Sequence, residues 1–355
     1  MAGLRGIKEL FREMSMTKVG VQTTLARKRL GRSGLLVSVV SIGGWLGILY
    51  NPEKSETGIW GGVSEDRSAR DAAAIAAVRR ALSLGINYFD TAPMYASGEA
   101  ERLLGVGLNA LSPPERQELI ISSKVGAHPQ RPKAYDADTI RWSLDRSLYN
   151  LHSHQLDIVF IHDPESDAHM NQMLGPGGAV EALVALKAQG VVGAIGLGVR
   201  THRFLLRAIE SGQFDVILPS YDYSPIRNSA ASVIDLAASC DVGVVSGSPY
   251  VAGLLAGLDP DLAAAKRPPD SAADLDRSRA LWRWARDCGV DLGAVAMQYS
   301  LRNRHITTVL SGPRDVAEIE ANIRHASTQL PAGIWDNLDA FLSTLGPQPP
   351  GGEAN

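Results

Sequence analysis

Short apolar runs recur along the chain at even intervals. They begin near Val37, Ile86, Leu119, Leu156, Val192, Phe214, Val242 and Ile306. Each is rich in valine and isoleucine and lacks polar alternation, as a strand buried on both faces should be. Between them the hydrophobic period lengthens to that of a helix. The stretches Arg70–Leu84, Gly98–Asn109, Asp138–Leu151, Gly178–Gln189, His202–Ser211, Ile226–Cys240 and Asp274–Cys288 carry it, and Val316–His325 follows the last run. In the first of them Ala74, Val78, Ala81 and Leu82 share a face from which Arg79 and Arg80 turn away. Eight strands alternating with eight helices predict a (β/α)8 TIM barrel in a single α/β domain. A hairpin over Thr24–Ser38, turning at Gly31-Arg32-Ser33-Gly34, is expected to precede it. The domain is placed at 24–345, after a loose N-terminal extension over 1–23 and before a flexible tail over 346–355. Within the extension, Ile7–Met14 has the spacing of a short amphipathic helix.

The competing architecture is a doubly wound open sheet, which places a glycine-rich phosphate turn after its first strand. Here that turn reads Gly43-Gly44-Trp45, without the required spacing. The run Gly193-Ala194-Ile195-Gly196-Leu197-Gly198 has glycines at the wrong intervals and lies inside a strand, so it is set aside. Long connections follow strand one (46–70), strand four (163–177) and strand seven (251–273). All three leave the face where barrels build their sites.

Composition narrows the partners. The 355 residues are 45% hydrophobic with a net charge of −3, and the basic residues form no block, which argues against nucleic acid. No uninterrupted apolar stretch is long enough for a membrane span, and the N-terminus lacks a signal-peptide core. The two cysteines, Cys240 and Cys288, lie far apart, which suits free thiols in a reducing cytoplasm. No metal ligand set is expected, and nothing in the pattern specifies an oligomeric state.

The chemistry sits at strand ends. Asp90, Lys124 and His162 close the second, third and fourth runs, and Tyr95 follows the second by five residues. In a barrel, three adjacent strands would aim the acid, lysine and imidazole at one mouth, with the phenol leaning over them. A phenol with an ordinary pKa near 10 exchanges protons poorly at neutral pH. One cation about 4 Å away supplies roughly 4 kcal/mol toward phenolate at an effective dielectric of about 20. Lys124 is the expected cation, Asp90 the group that keeps it charged, and His162 a hydrogen-bonding partner for a substrate oxygen. Small residues in Gly247-Ser248-Pro249-Tyr250-Val251-Ala252-Gly253-Leu254-Leu255 are suited to wrap a pyrophosphate. Gly312 and Arg314, before a helix carrying Glu318 and Asn322, offer a place for a phosphate or an adenine.

These residues carry a resemblance. The words Asn87-Tyr88-Phe89-Asp90-Thr91-Ala92-Pro93-Met94-Tyr95, Ser122-Ser123-Lys124-Val125-Gly126 and Val159-Phe160-Ile161-His162-Asp163-Pro164 resemble the aldo-keto reductase superfamily in order and spacing. The likeness runs from about Leu30 to Asn322. It implies a barrel that binds NAD or NADP without a dinucleotide fold, with Tyr95 as general acid/base, Lys124 and Asp90 tuning it and His162 orienting the substrate. The chain is most similar to the branch of aldose 1-dehydrogenases and L-galactose dehydrogenases, through His162-Asp163-Pro164, Ser248 to Leu255 and Gly312-Pro313-Arg314. That branch oxidises the anomeric carbon of a sugar to a lactone. The resemblance implies cofactor contacts at Gly44, Gly198, Ser248, Pro249, Tyr250, Gly253, Leu254, Gly312, Arg314, Glu318 and Asn322.

The chain also departs from the wider superfamily. Gly198 and Val199, with Arg200 next, stand where Ser-Asn is common, and the usual Gln is absent from Leu218-Pro219-Ser220. Gly247 replaces an aromatic, with Tyr250 three residues on. Acidic Glu318 takes a place where a base often meets the extra phosphate of NADP, so NAD is the expected cofactor. Trp45, Trp60, Met94 and Tyr223 are the expected substrate contacts; the alternative for Trp45 and Tyr223 is a plug of the barrel mouth. Met94 and Trp60 also allow a flatter, more apolar substrate than a sugar. Two other readings stay open: an NADPH-dependent aldehyde or ketone reductase, and a non-catalytic cofactor-binding scaffold subunit.

Overall fold

The computed structural model describes residues 25–44, 46 and 66–352. Trp45, Trp60 and the Ile7–Met14 helix lie outside them. A two-stranded antiparallel hairpin, β1 (Arg27–Arg29) and β2 (Leu36–Ser38), comes first, and eight parallel strands then close into a barrel. These are β3 (Val40–Ile42), β4 (Tyr88–Asp90), β5 (Ile120–Val125), β6 (Leu156–His162), β7 (Val192–Gly198), β8 (Val216–Leu218), β9 (Gly243–Gly247) and β10 (Thr308–Ser311), with β10 pairing back onto β3. The apolar run that begins at Val37 therefore serves two sheets. Its first part pairs with β1 and its second joins the barrel. Asn87 fixes the break by accepting from the Ser38 amide at 2.7 Å, while its own amide donates to the Ser38 hydroxyl at 3.1 Å.

Thirteen α-helices are found among the described residues, numbered here in chain order. They are α1 (Arg67–Ser83), α2 (Glu99–Asn109), α3 (Pro113–Gln117), α4 (Ala137–Asn150), α5 (Asp167–Leu174), α6 (Ala179–Ala188) and α7 (His202–Glu210). The rest are α8 (Ala231–Ser239), α9 (Pro260–Lys266), α10 (Ala272–Asp287), α11 (Leu292–Leu301), α12 (Val316–Ser327) and α13 (Ile334–Thr344). Asp and Ser side chains start many of them, as Asp136 does for α4 and Ser166 for α5, each accepting the amide three residues on.

One helix differs from the sequence expectation. The stretch Asp274–Cys288 matches α10 up to Asp287, but α10 is not the barrel helix after β9. It lies in an outer apolar cluster, where Leu281, Trp284 and Ala285 meet Ile334 and Leu338 of α13. The barrel helix is α11, which carries Val295, Ala296 and Met297 fully buried. A helix apolar on every side has no stripe, so its period leaves no signal. The long connections after β6 and β9 likewise contain helices of their own, α5 and α9.

Alternation along each strand separates two cores. Phe89, Ile121, Val159, Ile161, Leu197 and Val244 face outward to the helices. Tyr88, Ile158, Phe160, Ala194, Val245 and Leu310 fill the barrel, and Leu30 and Val37 of the hairpin join them. The hairpin thus stoppers the N-terminal end, with Arg32 donating its amide to Asp241 O, ahead of β9. The residues after α13, expected to be a loose tail, are tied down as far as Gly352. Arg277 donates to Leu345 O and Gly346 O, Arg227 to Pro350 O, and the Gly352 amide to Asp222.

Phe160 spans the barrel interior because β7 offers it a glycine. A Cβ on Gly196 would lie 2.3 Å from the Phe160 ring. Gly196→Ala is expected to cost about 1–3 kcal/mol through overpacking, measured by urea unfolding. Adding Phe160→Leu should recover part of that loss; no recovery would show that the clash is not the cause.

Candidate active site

Parallel register brings the strand ends together. Asp90 pairs with Ser122, and Lys124 with Phe160, so Asp90, Lys124 and His162 end up at the C-terminal mouth with 2%, 2% and 7% exposure. Lys124 donates one hydrogen bond to Asp90 Oδ2 and a second, of 2.8 Å, to Thr91 O. Its Nζ lies 4.7 Å from the centre of the Tyr95 ring. The His162 ring stands perpendicular to Tyr95, 5.8 Å between centres. His162 Nε2 is 3.3 Å from Asp163 Oδ2, and Nδ1 is buried with no hydrogen-bond partner among the described residues.

Tyr95 opens a tight turn in which Ala96, Ser97 and Gly98 are all left-handed, at φ 48°, 55° and 93°. Such a conformation costs a non-glycine residue on the order of 1 kcal/mol. A cluster of ion pairs just beyond holds the turn in place. Arg102 binds Asp71 and Glu99, both at 2.7 Å, and Arg70 closes on Glu99 from α1. Gly44, expected against the cofactor, instead makes room for the phenol: a Cβ there would sit 2.0 Å from the Tyr95 ring.

The electrostatics correct one expectation. Burial pushes the Tyr95 phenol up, and Lys124, which pulls it down, does not fully offset that effect. The phenol therefore lies above its ordinary value rather than below it. Burial also works against the Lys124 charge, but Asp90 and the Tyr95 oxygen together hold the ammonium above its usual pKa. His162 is pushed down to about 4 by burial, so it is neutral near pH 7.

The cofactor candidates divide. Ser248, Val251, Ala252 and Gly253 all have left-handed backbone, at φ 62°, 46°, 57° and 94°. A β-branched residue such as Val251 is a true outlier there, and strain of this kind gathers where backbone must approach a ligand. Arg314 stands before α12, and Asn322 is buried, donating to Ser311 Oγ at 2.7 Å. Strained small residues, a serine and an arginine fit the phosphate-rich half of a dinucleotide. Gly198 lies beside His162 in register, at the β7 end of the mouth. Pro249 lies in the strained loop and Gly312 between β10 and Arg314.

Three side chains depart from expectation. The Tyr250 hydroxyl is turned to His325 Nδ1, 2.8 Å away between the outer helices. Leu254 is buried in the outer apolar cluster. Tyr223 accepts from Asn303 Nδ2 at 2.9 Å and leans on Tyr299, so it serves helix packing. Met94 is 36% exposed, next to Tyr95. Sequence reasoning passed over Ser122 and Tyr88, which lie on the barrel side beneath Asp90. Their signal was available, since each stands two residues before a site residue and so shares its face.

A family model described as the aldo/keto reductase family matches residues 57–343. The chain is 32% identical to L-galactose dehydrogenase of Arabidopsis thaliana over 305 residues, covering 85% of this chain and 88% of that protein. It is 30% identical to D-threo-aldose 1-dehydrogenase of a Pseudomonas species over 297 residues, covering 77% of this chain and 88% of the other. Among solved structures, an aldo-keto reductase of Bacillus halodurans in its holo form superposes with a TM-score of 0.68 at 21% identity, covering 92% of this chain and 97% of that one. At that identity the likeness speaks for the fold alone.

The buried imidazole predicts a pH dependence. An unfolded histidine titrates near 6.5, whereas folded His162 titrates at about 4. Between those values the unfolded chain binds a proton that the folded one refuses. Stability is therefore whole above pH 6.5 and falls as pH drops toward 4, by roughly 3 kcal/mol. Urea unfolding from pH 7 to 4.5 should show a shallower decline in His162→Asn than in the wild type. Equal declines would mean that His162 is not the source.

Proposed function

The chain belongs to the aldo/keto reductase family, and from that premise we propose that it oxidises the anomeric carbon of a sugar hemiacetal, with NAD as hydride acceptor. The class is an NAD(P)-dependent oxidoreductase acting on CH–OH and carbonyl groups. The sugar reading rests on the two dehydrogenases named above, which act on galactose and on threo-aldoses by name. The observation that carries the mechanism is the Lys124 ammonium, clamped by Asp90 and set beneath the Tyr95 phenol.

In this reading Tyr95 exchanges the proton of the reacting oxygen. In the oxidative direction the Tyr95 phenolate takes the hydroxyl proton as hydride leaves; Lys124 stabilises that phenolate, and Asp90 keeps Lys124 charged in a site too buried to hold a bare ammonium. Neutral His162 offers a ring nitrogen to the same oxygen and so fixes the substrate without adding charge. When bound, the nicotinamide supplies the hydride acceptor and, in its oxidised form, a positive charge that favours phenolate. Met94 lies at the rim where the substrate would enter, and the free thiols Cys240 and Cys288 suit a reducing cytoplasm. A second reading, carbonyl reduction, is favoured by the raised Tyr95 pKa, which suits a proton donor. A scaffold role gives no reason to bury a lysine under a tyrosine.

Incubation with NAD⁺ and a panel of aldoses and secondary alcohols should yield reduced cofactor. Tyr95→Phe should lower kcat by about 10²–10⁴-fold while cofactor binding is kept. Undiminished turnover in that variant would sink the mechanism.

The preference for NAD follows from charge. Glu318 grips the Arg314 guanidinium, with one Nε contact at 3.1 Å, and also accepts the Arg314 amide at 2.8 Å. Asp315 caps α12 by accepting the Glu318 amide. An added phosphate at this helix end would meet two carboxylates and an arginine already engaged. Glu318→Arg should tighten NADP⁺ binding by tenfold or more, about 1.4 kcal/mol, and leave NAD⁺ nearly unchanged in a fluorescence titration. Tighter NADP⁺ than NAD⁺ binding by the unaltered protein would reverse the assignment.

A further inference from the structure

Beneath the proton-transfer site lies a hydrogen-bonded chain that the mechanism above does not use. Tyr88 OH is 3.0 Å from Ser122 Oγ, and Ser122 Oγ is 2.6 Å from Asp90 Oδ1. All three side chains are buried, Tyr88 and Ser122 with no exposure at all. Period two along the strands puts Tyr88 on the face of Asp90, and Ser122 on the face of Lys124. The pairing of Asp90 with Ser122 then closes the chain across β4 and β5.

The proton directions follow from valence. An ionised carboxylate only accepts, so Ser122 must donate to Asp90. Its single proton is then spent, so Tyr88 must donate to Ser122. Every proton in the column points up at Asp90. Burial keeps the Tyr88 phenol well above its ordinary pKa, which preserves it as a donor. The two tyrosines thus have different assignments. Tyr88 is locked as a donor, while Tyr95 lies near the lysine.

We propose that Ser122 is a positioning residue for hydride transfer, holding the Asp90 carboxylate in the orientation that lets Lys124 act on Tyr95, and that Tyr88 holds Ser122 in turn. The inference rests on Tyr95 being the proton-transfer group. Oδ1 is committed to Ser122 and Oδ2 to Lys124, so Asp90 shares its charge between two donors. Without the serine proton, Asp90 neutralises Lys124 more completely and is free to turn. The ammonium then offers less to the phenolate. The other charged or titratable groups facing the site among the described residues are Glu101 (buried on α2 and felt by Lys124), Asp163 and His162 at the end of β6, Lys133 near His162, and Asp157 toward Tyr88. None of them replaces the Ser122 contact to Asp90 Oδ1.

The test is a pH profile of kcat in the full-length protein with NAD⁺ and its best aldose. Ser122→Ala should lower kcat about tenfold and move the Tyr95-dependent pKa up by about one unit, with the substrate KM and NAD⁺ affinity unchanged. Ser122→Ala strands the Tyr88 hydroxyl, so the double variant Tyr88→Phe/Ser122→Ala, which removes both partners, guards against a folding defect. Tyr88→Phe alone should shift the profile the same way by less, and Ser122→Thr should restore it. Ultraviolet difference titration of tyrosinate, with Tyr95→Phe as the blank, should report the same shift without turnover. An unshifted profile in Ser122→Ala beside an inactive Tyr95→Phe would overturn this proposal alone. Full turnover in Tyr95→Phe would overturn the underlying mechanism and this proposal with it. Equal loss in Ser122→Thr and Ser122→Ala, with no movement of the pKa, would reduce Ser122 to packing.

Discussion

The ion pair between Lys124 and Asp90 is the contact around which the rest of the site is arranged. Both groups are nearly sealed from water. A lysine in that position loses its hydration and would discharge unless a carboxylate answered it. The pair is held at the ends of adjacent strands, where parallel register fixes the approach better than any loop would. Two further contacts complete it. Thr91 O takes another lysine proton, and Ser122 takes up the remaining carboxylate oxygen. A buried charge pair stabilises a fold poorly unless its remaining valences are filled. Here they are filled from the barrel itself.

The architecture serves that pair from below and from the side. The hairpin stoppers the N-terminal end with Leu30 and Val37, which join the apolar cluster that contains Tyr88. Above it β4, β5 and β6 turn from apolar to polar within two residues, from Tyr88, Ile120 and Phe160 to Asp90, Ser122 and His162. The helices outside carry the bulk of the apolar packing, which leaves the upper interior free to hold hydroxyls and charges. Tyr95 enters from the side on a strained turn fastened by Arg70, Asp71, Glu99 and Arg102. Its ring fits only because Gly44 has no side chain.

The cofactor side is organised differently. The Ser-Asn and Gln common in the wider superfamily after strands five and six are absent from this chain. This chain has instead a network in which Arg200 and Arg227 share Asp222 and Asp270. The network ties the loop after β9 and the C-terminal residues to the rim. Arg314 is similarly engaged by Glu318. Arg200, Arg227 and Arg314 are thus each balanced by carboxylates close by.

Much of this was legible in the one-dimensional pattern. Short Val- and Ile-rich runs and helical spacing give the barrel, because a parallel sheet covered by helices requires both. Polar residues closing those runs mark the mouth, because a buried strand has few other reasons to end in Lys124 or His162. What the pattern left out depends on neighbours distant in sequence. It did not reveal α11 as a barrel helix, since a helix buried all round shows no stripe. It did not tell that Tyr223 and Tyr250 turn outward, since an aromatic at a loop is equally suited to either side. It gave the wrong sign for Tyr95, because the pull of one cation is set by distance but the penalty of burial is set by everything around it. The residues and their order determined the fold and the groups proposed to react. Only the closed barrel decided how far burial opposes charge, which hydroxyls face Asp90, and which aromatics reach the mouth, because those are properties of packing across strands rather than along them.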